Sequence, residues 1–574
     1  MAEEACKRFR GGPATPYGVP VLPDSTASGP VATTAEWWRT AVIYQIYPRS
    51  FADGDGDGIG DLGGIAARLP AVAELGVDAI WLSPFYVSPQ TDGGYDVTDY
   101  CDVDPLFGTL ADFDRVLAVA HGLGLRVIID LVPNHSSAQH PWFQEALASP
   151  PGSAARARYL FRDGTGPGGD LPPNNWRSGF GGPAWTRVIE ADGNPGQWYL
   201  HIFDSTQPDF DWRNPEVRAF FEGVLRFWLD RGVDGFRVDV AHGLIKAEGL
   251  PDAPPKPADA QGDVGPFWGQ PEVHDIYREW HALLAEYDGD RALCAEAWIL
   301  PAAKLALWVR PDEMQQAFNF QYLSAPWSAP ELREVIDESL AGFDSVGAPS
   351  TWVLSNHDVV RHATRFGLGR EHPEGQSVGP LTPSQPDAAL GLRRARAATA
   401  LMLALPGSSY LFQGEELGLP EVIHLPDEAR QDPVFLTTGG ERYGRDGCRV
   451  PIPWEADAPA YGFNETGASW LPQPEEWARF ARSAQRGVAG STLELYRSAL
   501  ALRREYGLGS GDLLWFAQYV DDALEFTNGP VAVMANLGRS PLPLPRGTVI
   551  LSTAELTGRT LPPDATAWVL LGDH

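Results

Sequence analysis

The chain has 574 residues and is strongly acidic, with 75 Asp and Glu against 44 Lys and Arg, which gives a formal net charge of -31. This length exceeds what one hydrophobic core serves, so we expect two or three domains. A negative charge of this size repels polyanions and argues against nucleic acid as a partner. Since no uninterrupted apolar stretch approaches the ~18 residues of a membrane-spanning helix, no membrane partner is expected.

The cysteine content bears on the cellular compartment. The four cysteines, Cys6, Cys101, Cys294 and Cys448, are too few for a disulfide framework, and their spacing matches no zinc site. Isolated reduced thiols are typical of a cytosolic protein. The first residues are rich in Gly and Pro and lack the apolar core of a signal peptide. We therefore predict a cytoplasmic protein with a flexible N-terminal tail over residues 1–35.

Short β-rich runs follow this tail and alternate with helical stretches. The eight runs lie at 42–47, 79–82, 126–132, 235–240, 293–298, 317–320, 351–354 and 409–412. Helical patterns between them lie at 62–75, 112–124 and 215–231. Asn214 is placed as the N-cap of the third helix, and Gly124 as the stop of the second. The alternation predicts an α/β fold with a parallel sheet, and eight repeats predict a (β/α)₈ TIM barrel.

The spacing of the runs breaks at two places. After the third strand, residues 134–211 are rich in Pro, Gly, Asn and Trp, which predicts an inserted irregular domain. After the eighth strand, residues 414–485 form a second Pro-rich insertion. The barrel itself is expected to occupy residues 36–133 and 212–508. From residue 509 to 574, short β runs separated by Pro and Gly predict a C-terminal all-β domain.

Charged side chains follow several of these runs directly. The active site of a TIM barrel lies at the C-terminal ends of its strands, where Asp239, Glu296 and Asp358 are placed. Gathering three carboxylates is costly because like charges repel, so the set favours catalysis over three separate helix N-caps. One carboxyl with a raised pKa and one ionised carboxyl form the acid and nucleophile of glycoside hydrolysis. Arg237 lies on the same strand face as Asp239 and would hold it ionised.

Six segments carry a family resemblance. Four of them read DLVPNH at 130–135, GFRVDVAH at 235–242, AEAW at 295–298 and SNHD at 355–358. In this order they resemble the signature segments of the α-amylase family, glycoside hydrolase family 13. Two more are similar to its α-glucosidase branch, SPQTDGGYDVTDY at 88–100 and GRDGCRVP at 444–451. The resemblance runs from Trp37 to Trp454 and supports the barrel.

The resemblance implies a role for each matched residue. Asp239 is the nucleophile and forms a β-glucosyl-enzyme, Glu296 protonates the leaving oxygen and then activates water, and Asp358 stabilises the transition state. A retaining mechanism places the carboxyls of Asp239 and Glu296 roughly 5 Å apart. The implied sugar contacts are Tyr95 as a stacking platform, Asp96 at the far hydroxyls, His135, Arg237 and His357 at the cleavage point, and Arg445 closing the pocket beside Asp96.

Acidic residues alternate with glycines in the segment 53–61, directly after the first run. The start resembles an EF-hand, but the twelfth position is Gly64 rather than a bidentate Glu, so that motif is excluded. The α-glucosidase branch has a structural metal loop here, which implies Ca²⁺, with Mg²⁺ as an alternative and no organic cofactor. The implied ligands are Asp53, Asp55, Asp57, the carbonyl of Ile59 and Asp61. An acidic turn without a metal is the other interpretation.

The substrate is expected to be a small oligosaccharide. A pairing of Asp96 with Arg445 would close the pocket and favour release of a terminal α-glucose. Val240, directly after the nucleophile, points to α-1,6 linkages, whereas residues 239–244 resemble maltose-hydrolysing α-glucosidases of high-GC bacteria. We therefore favour a maltose-type α-1,4 specificity for a retaining α-glucosidase.

Several other functions use the same residues. An α-glucosyltransferase (transglucosylase) differs in the acceptor, and an oligo-1,6-glucosidase differs in the linkage. A trehalose synthase is less favoured. So is a non-catalytic relative. An amylase-like ectodomain is expected to carry a membrane span and to lack the catalytic carboxylates, and a pure sugar-binding protein needs no acid at Glu296.

Overall fold

Eight parallel strands form the centre of the computed structural model, which describes residues 36–256, 262–369, 377–517 and 522–572. The predicted tail over residues 1–35 lies outside the described residues. The strands are β1 (Val42–Ile46), β2 (Ala79–Leu82), β3 (Arg126–Leu131), β4 (Gly235–Val238), β5 (Ala292–Ala295), β6 (Gln316–Ala317), β7 (Thr351–Val353) and β8 (Ser408–Phe412). Each overlaps one of the eight predicted runs.

The strands close into a barrel. Neighbours pair in parallel in the order β6-β5-β4-β3-β2-β1-β8-β7. An isolated parallel bridge between Phe318 and Thr351 joins the end of β6 to β7 and completes the ring. The register sets Asp130 of β3 opposite Arg237 of β4, so charged residues of neighbouring strands meet at one end. The predicted (β/α)₈ barrel is confirmed.

Side chains fill the inside of this barrel. Successive strand residues face opposite sides of a sheet. Accordingly, Ile43, Trp81 and Ile128 pack in one interior cluster, whereas the adjacent Val42 packs with the surrounding helices. Asp130 follows Ile128 by two positions and therefore faces the interior as well. The barrel interior thus changes from apolar to charged towards the C-terminal ends of the strands.

Seven helices of 12 to 16 residues surround the described part of the barrel. Thr109 and Asp112 form a capping box at the second helix, which therefore begins at Leu110 rather than at the predicted residue 112. These helices span Leu62–Leu75, Leu110–Gly122, Pro215–Asp230, Val273–Leu284, Ala329–Asp344, Ala388–Leu403 and Thr492–Glu505. Shorter helices span Pro141–Ala148, Ala302–Leu305, Phe320–Ser324, His362–Arg365, Pro433–Thr437 and Arg482–Gln485.

The insertion after β3 contains regular structure. Beyond its helix Pro141–Ala148, it forms a three-stranded antiparallel sheet from Phe161–Arg162, Trp185–Ile189 and Pro195–Leu200. The central position belongs to Pro195–Leu200. The insertion is thus less irregular than its Pro and Gly content indicated, because these residues lie mainly in the connections.

The last part of the chain is all-β, as predicted. Its main sheet has five antiparallel strands in the order Leu513–Trp515, Ala523–Asn528, Val531–Asn536, Ala565–Leu570 and Thr548–Ser552. A second pair joins Leu542–Pro543 to Thr560–Leu561. The buried Asn528 amide donates hydrogen bonds to the carbonyls of Ala404 and Leu508, both at 2.8 Å, and so fastens this domain to the barrel.

Two further observations concern the cysteines and the helices. Cys294 and Cys448 are buried free thiols, as expected, whereas Cys101 is disulfide-bonded, so the expectation of an isolated thiol is wrong at that position. Among the described residues, no helix combines the length and the apolar character that a bilayer crossing requires.

Candidate active site

A cavity of about 440 Å³ opens at the C-terminal ends of the barrel strands. Asp239 directly follows β4, Glu296 directly follows β5, and Asp358 lies shortly after β7. All three carboxylates line the cavity. The barrel therefore brings together three acids that are far apart in the sequence, as predicted from their positions at strand ends.

The Arg237 guanidinium holds the acids of neighbouring strands together. Its Nη1 donates to Asp239 Oδ1 at 2.6 Å and to Asp130 Oδ1 at 2.8 Å. Its Nη2 lies 3.9 Å from Glu296 Oε2. Burial raises the pKa of Asp130 to about 6 and that of Asp239 as well, while the charge of Arg237 opposes both rises. One buried cation thus contacts the carboxyls assigned as nucleophile and as acid/base.

Glu296 fixes the backbone that follows Asp239. Its Oε2 accepts a hydrogen bond from the Val240 N–H at 2.8 Å, and its carbonyl accepts one from the Ala241 N–H at 2.8 Å. Val240 has a φ of 47°, in the left-handed region that β-branched residues avoid. Such strain persists only where surrounding contacts over-determine the backbone. These two hydrogen bonds therefore hold Asp239 and Glu296 in a fixed relative position.

Asp358 lies among two arginines and a histidine. Its Oδ1 accepts hydrogen bonds from Arg445 Nη1 at 3.1 Å and from Arg449 Nη2 at 3.0 Å, and its Oδ2 lies 3.1 Å from His357 Nε2. Burial raises the pKa of Asp358, but these three neighbours together lower it below its ordinary value. Asp358 therefore stays ionised, which a group that stabilises developing positive charge must do.

Tyr95 lies in an aromatic stack beneath the cavity. Its ring packs on His357 at a centroid distance of 5.2 Å and an angle of 6°, and Tyr47 covers another part of His357 at 5.7 Å and 15°. The Tyr95 hydroxyl donates to Asp130 Oδ2 at 3.0 Å. His135 Nε2 lies 3.1 Å from the Tyr95 carbonyl, and burial lowers the pKa of His135 to about 4. His135 is therefore neutral at neutral pH, and Tyr95 has a fixed orientation.

Arg445 closes one end of the cavity through Asp92. Its Nη2 donates to Asp92 Oδ1 at 2.6 Å, and its Nε donates to Asp432 Oδ2 at 2.6 Å. The guanidinium also lies 5.1 Å above the Phe180 ring, which belongs to the insertion after β3. Burial raises the pKa of Asp92 to about 6, against the opposing charge of Arg445. Since Arg445 also contacts Asp358, the Arg445–Asp92 pair joins two loops at this end of the cavity.

The predicted pairing of Arg445 with Asp96 is not formed, and Asp92 takes that place. The Asp96 carboxylate is fully buried. It accepts hydrogen bonds from the Ser88 hydroxyl and the Thr91 N–H, both at 2.9 Å, and from the Asp92 N–H at 3.1 Å. Asp96 therefore shapes the loop that presents Asp92 to the cavity. Asp92 and Asp96 both lie in the matched segment 88–100. That segment therefore predicts an acid that pairs with Arg445 but does not show which of the two it is.

Two other charged groups at this end of the cavity were not predicted from the sequence. Asp432 and Arg449 both lie in the insertion 414–485, which has no periodic pattern that would place its side chains. Arg449 falls inside the segment 444–451 that carries the family resemblance, and its charge acts on Asp358. Asp432 has no such signal, because its role follows from the folded path of the insertion alone.

The acidic loop after β1 brings three of its carboxylates together. One ligand oxygen each of Asp53, Asp55 and Asp61 lies within 4.8 Å of the others. Oxygen donors of this kind suit hard cations such as Ca²⁺ and Mg²⁺. Asp57 is not part of this group. Its Oδ1 accepts a hydrogen bond from the Ile59 N–H at 2.8 Å. Burial and the neighbouring acids raise the pKa of Asp57. Three of the four predicted side-chain ligands thus fit a bound cation.

Known proteins resemble this chain over most of its length. Residues 45–510 match the family model of the α-amylase catalytic domain. A probable α-glucosidase of Rhizobium meliloti (strain 1021) is 39% identical over 498 residues, which cover 84% of this chain and 85% of the relative. An oligo-1,6-glucosidase of Parageobacillus thermoglucosidasius is 33% identical over 513 residues, which cover 83% of this chain and 86% of the relative.

A solved structure extends the similarity to the whole fold. The crystal structure of the α-glucosyl transfer enzyme XgtA aligns with a TM-score of 0.80 and 37% sequence identity, covering 93% of this chain and 99% of that chain. The family match over residues 45–510 includes the positions of Asp239, Glu296 and Asp358. The chain therefore belongs to the α-amylase family, glycoside hydrolase family 13, and is a glycoside hydrolase of its α-glucosidase and oligo-1,6-glucosidase branch.

Proposed function

We propose that the enzyme is a retaining α-glucosidase that releases glucose from the non-reducing end of short oligosaccharides, with a preference for α-1,4 linkages. The observation that carries the proposal is the Arg445–Asp92 pair, which closes one end of the cavity. A cavity closed at one end admits the terminus of a sugar chain and excludes its middle. The carboxyls that do the chemistry, Asp239 and Glu296, line the same cavity.

In the first half-reaction, Asp239 attacks the anomeric carbon while Glu296 gives its proton to the glycosidic oxygen. The bond from the anomeric carbon to that oxygen breaks, and a bond to an Asp239 oxygen forms, giving a β-glucosyl-enzyme. Arg237 holds Asp239 Oδ1 at 2.6 Å and so orients the nucleophile. The ionised Asp358 stabilises the positive charge that develops on the sugar ring.

In the second half-reaction, Glu296 is a carboxylate and takes a proton from water as the water oxygen attacks the anomeric carbon. The bond to Asp239 breaks, and the released glucose keeps the α configuration. A sugar hydroxyl that replaces water gives transfer instead. The named activities of XgtA and of the oligo-1,6-glucosidase relative support the two main alternatives, a transglucosylase and an α-1,6 specificity.

The proposal includes a structural cation at Asp53, Asp55 and Asp61, with Ca²⁺ favoured and Mg²⁺ as the alternative. The convergence of three carboxylates in a short loop supports it, because a bound cation offsets their mutual repulsion. Participation of the Ile59 carbonyl stays a prediction, as does the cytoplasmic location, whereas Asp57 lies outside the group of three.

Product time courses test the proposed substrate. With maltose, isomaltose, sucrose and trehalose at equal concentrations, glucose release from maltose is expected to be fastest, by roughly tenfold over isomaltose. Chromatographic separation of the products over time distinguishes hydrolysis from transfer. Faster cleavage of isomaltose would favour the oligo-1,6-glucosidase alternative. Trehalose as the main product from maltose would refute the hydrolase proposal.

The variant Glu296→Gln tests the assigned acid/base. Its kcat/KM for maltose is expected to fall by roughly 10²- to 10⁴-fold, since the leaving oxygen no longer receives a proton. With p-nitrophenyl α-glucoside, whose leaving group needs no proton, added azide should restore turnover and yield α-glucosyl azide. Glu441→Gln, at an exposed acid near Arg445, is the control. Full activity of Glu296→Gln on maltose would contradict the mechanism.

The acidic limb of the pH profile is expected to depend on Asp92. Burial raises the pKa of Asp92 to about 6, so the carboxylate is ionised above that pH and loses its pair with Arg445 as the pH falls through it. The kcat/KM for maltose should therefore decline with a midpoint near this value. In Asp92→Asn, kcat/KM at neutral pH is expected to drop roughly 10- to 100-fold, and this limb should vanish. A limb with the same midpoint in the variant would exclude Asp92 as its source.

Removal of the cation is expected to lower thermal stability. Chelation by EDTA should reduce the unfolding midpoint by roughly 5 °C, and excess Ca²⁺ should restore it more fully than Mg²⁺. Asp55→Asn should abolish the difference between chelated and Ca²⁺-loaded protein. Asp57→Asn is the matched control and should keep most of that difference, because Asp57 lies outside the group of three. An identical midpoint with and without chelator would argue for an acidic turn.

A further inference from the structure

The cavity has two ends of different construction. The closed end, at the Arg445–Asp92 pair, takes the transferred glucose under the proposed function. Glu296 protonates the leaving oxygen, so the departing sugar must lie on the side of Glu296 away from that pair. On this side the cavity is lined by Val240, whose N–H is held by Glu296, and by residues of the segment 262–269 that follows β4.

The segment 262–269 is fastened to the ends of two barrel strands. The Asp263 N–H donates to the Trp298 carbonyl, just after β5, and the Gly269 N–H donates to the His242 carbonyl, just after β4, both at 2.7 Å. A Cβ on Gly262 would lie 2.5 Å from that Trp298 oxygen, so the chain approaches β5 as closely as a glycine permits. Asp263 therefore has a defined place beside the catalytic carboxyls.

His242 orients the Asp263 side chain. The His242 ring is 1% exposed, stacks on Trp268 at 4.6 Å and 19°, and brings its Nε2 to 2.8 Å from Asp263 Oδ2. The Asp263 side chain keeps 35% of its exposure and lines the cavity. In the described part of the chain, no hydrogen bond engages Asp263 Oδ1. One oxygen is thus fixed by a buried imidazole, and the other is available to a ligand hydroxyl.

Two tryptophans flank this carboxylate on the cavity wall. Trp268 is held by its stack on His242, and Trp298 stacks on Phe320 at 4.0 Å and 15°. Aromatic faces of fixed orientation bind the apolar faces of sugars, and they also bind aryl groups. Only a ring that bears hydroxyl groups can also donate a hydrogen bond to Asp263. The cavity wall therefore combines stacking on tryptophans, which suits any ring, with a hydrogen bond to Asp263, which favours a sugar.

We propose that Asp263 is the residue that selects the sugar on the leaving-group side. It accepts hydrogen bonds from hydroxyls of the pyranose that departs in the first half-reaction, and that attacks in the second when transfer occurs. His242 is a positioning residue that acts through Asp263. This inference rests on the proposed function, and it adds the residue that recognises the hydroxyls of the departing sugar and so discriminates against an aryl alcohol.

The test compares Asp263→Ala with Asp252→Ala, a control at an exposed acid of the same connecting segment. For Asp263→Ala, kcat/KM for maltose is expected to fall roughly 10- to 100-fold, as the loss of a hydrogen bond to a charged group predicts. For p-nitrophenyl α-glucoside, which has no sugar on that side, the change should stay below about threefold. With maltose as acceptor, the ratio of transfer to hydrolysis should fall together with kcat/KM for maltose. The control Asp252→Ala should match wild type in both kcat/KM values and in the ratio of transfer to hydrolysis.

The outcomes separate the inference from the function on which it rests. Equal losses on both substrates, or no loss on maltose, would overturn the role of Asp263. A wild-type enzyme inactive on both substrates would instead overturn the proposed α-glucosidase, and the inference with it. His242→Phe keeps a ring against Trp268 but removes the bond to Asp263, so it should show a smaller loss confined to maltose. An unfolding midpoint close to wild type excludes misfolding as the cause.

Discussion

The contact between the buried Arg237 guanidinium and the acids around it is the interaction on which the site depends. Asp130 and Asp239 accept its hydrogen bonds, and Glu296 lies at its other nitrogen. Removing one partner from such a buried set leaves an uncompensated charge and costs about 3–5 kcal/mol. A slip of one residue in the pairing of β3 with β4 would turn these side chains out of the barrel. The register of the barrel and the arrangement of its catalytic groups are therefore one constraint.

The remaining charges of the site are balanced from outside the barrel. Arg445 and Arg449 come from the insertion after β8 and surround Asp358, while Phe180 of the insertion after β3 packs against Arg445. Together with His357, the same two arginines lower the pKa of Asp358, and Arg445 opposes the rise of the Asp92 pKa. The strand ends thus supply the carboxylates proposed to react, and the insertion after β8 supplies two of the cations beside Asp358.

The predictable parts of the structure are those that follow from local pattern. Short β-rich apolar runs indicated the eight strands, and the ends of these runs indicated Asp239 and Glu296, because a side chain directly after a strand has little freedom of placement. The choice between Asp92 and Asp96 was different, since hydrogen bonds inside one loop decide which of the two faces the cavity. Asp263 was not predicted from the sequence. Its position depends on long-range contacts with His242 and with the end of β5, which sequence periodicity does not reveal.

The segment 262–269 reaches beyond the barrel to the insertion after β3. Phe267 and Trp268 pack against the apolar cluster of that insertion, which includes Trp176 and Trp185. The side of the cavity proposed to bind the departing sugar is thus built on connecting loops, whereas Asp239 and Glu296, the proposed nucleophile and acid/base, directly follow barrel strands. Substitutions in the loops can change the side of the cavity beside Asp263 without altering the carboxylates at the strand ends. A change of partner sugar then requires no new chemistry, which is how one inherited reaction diversifies into enzymes with different products.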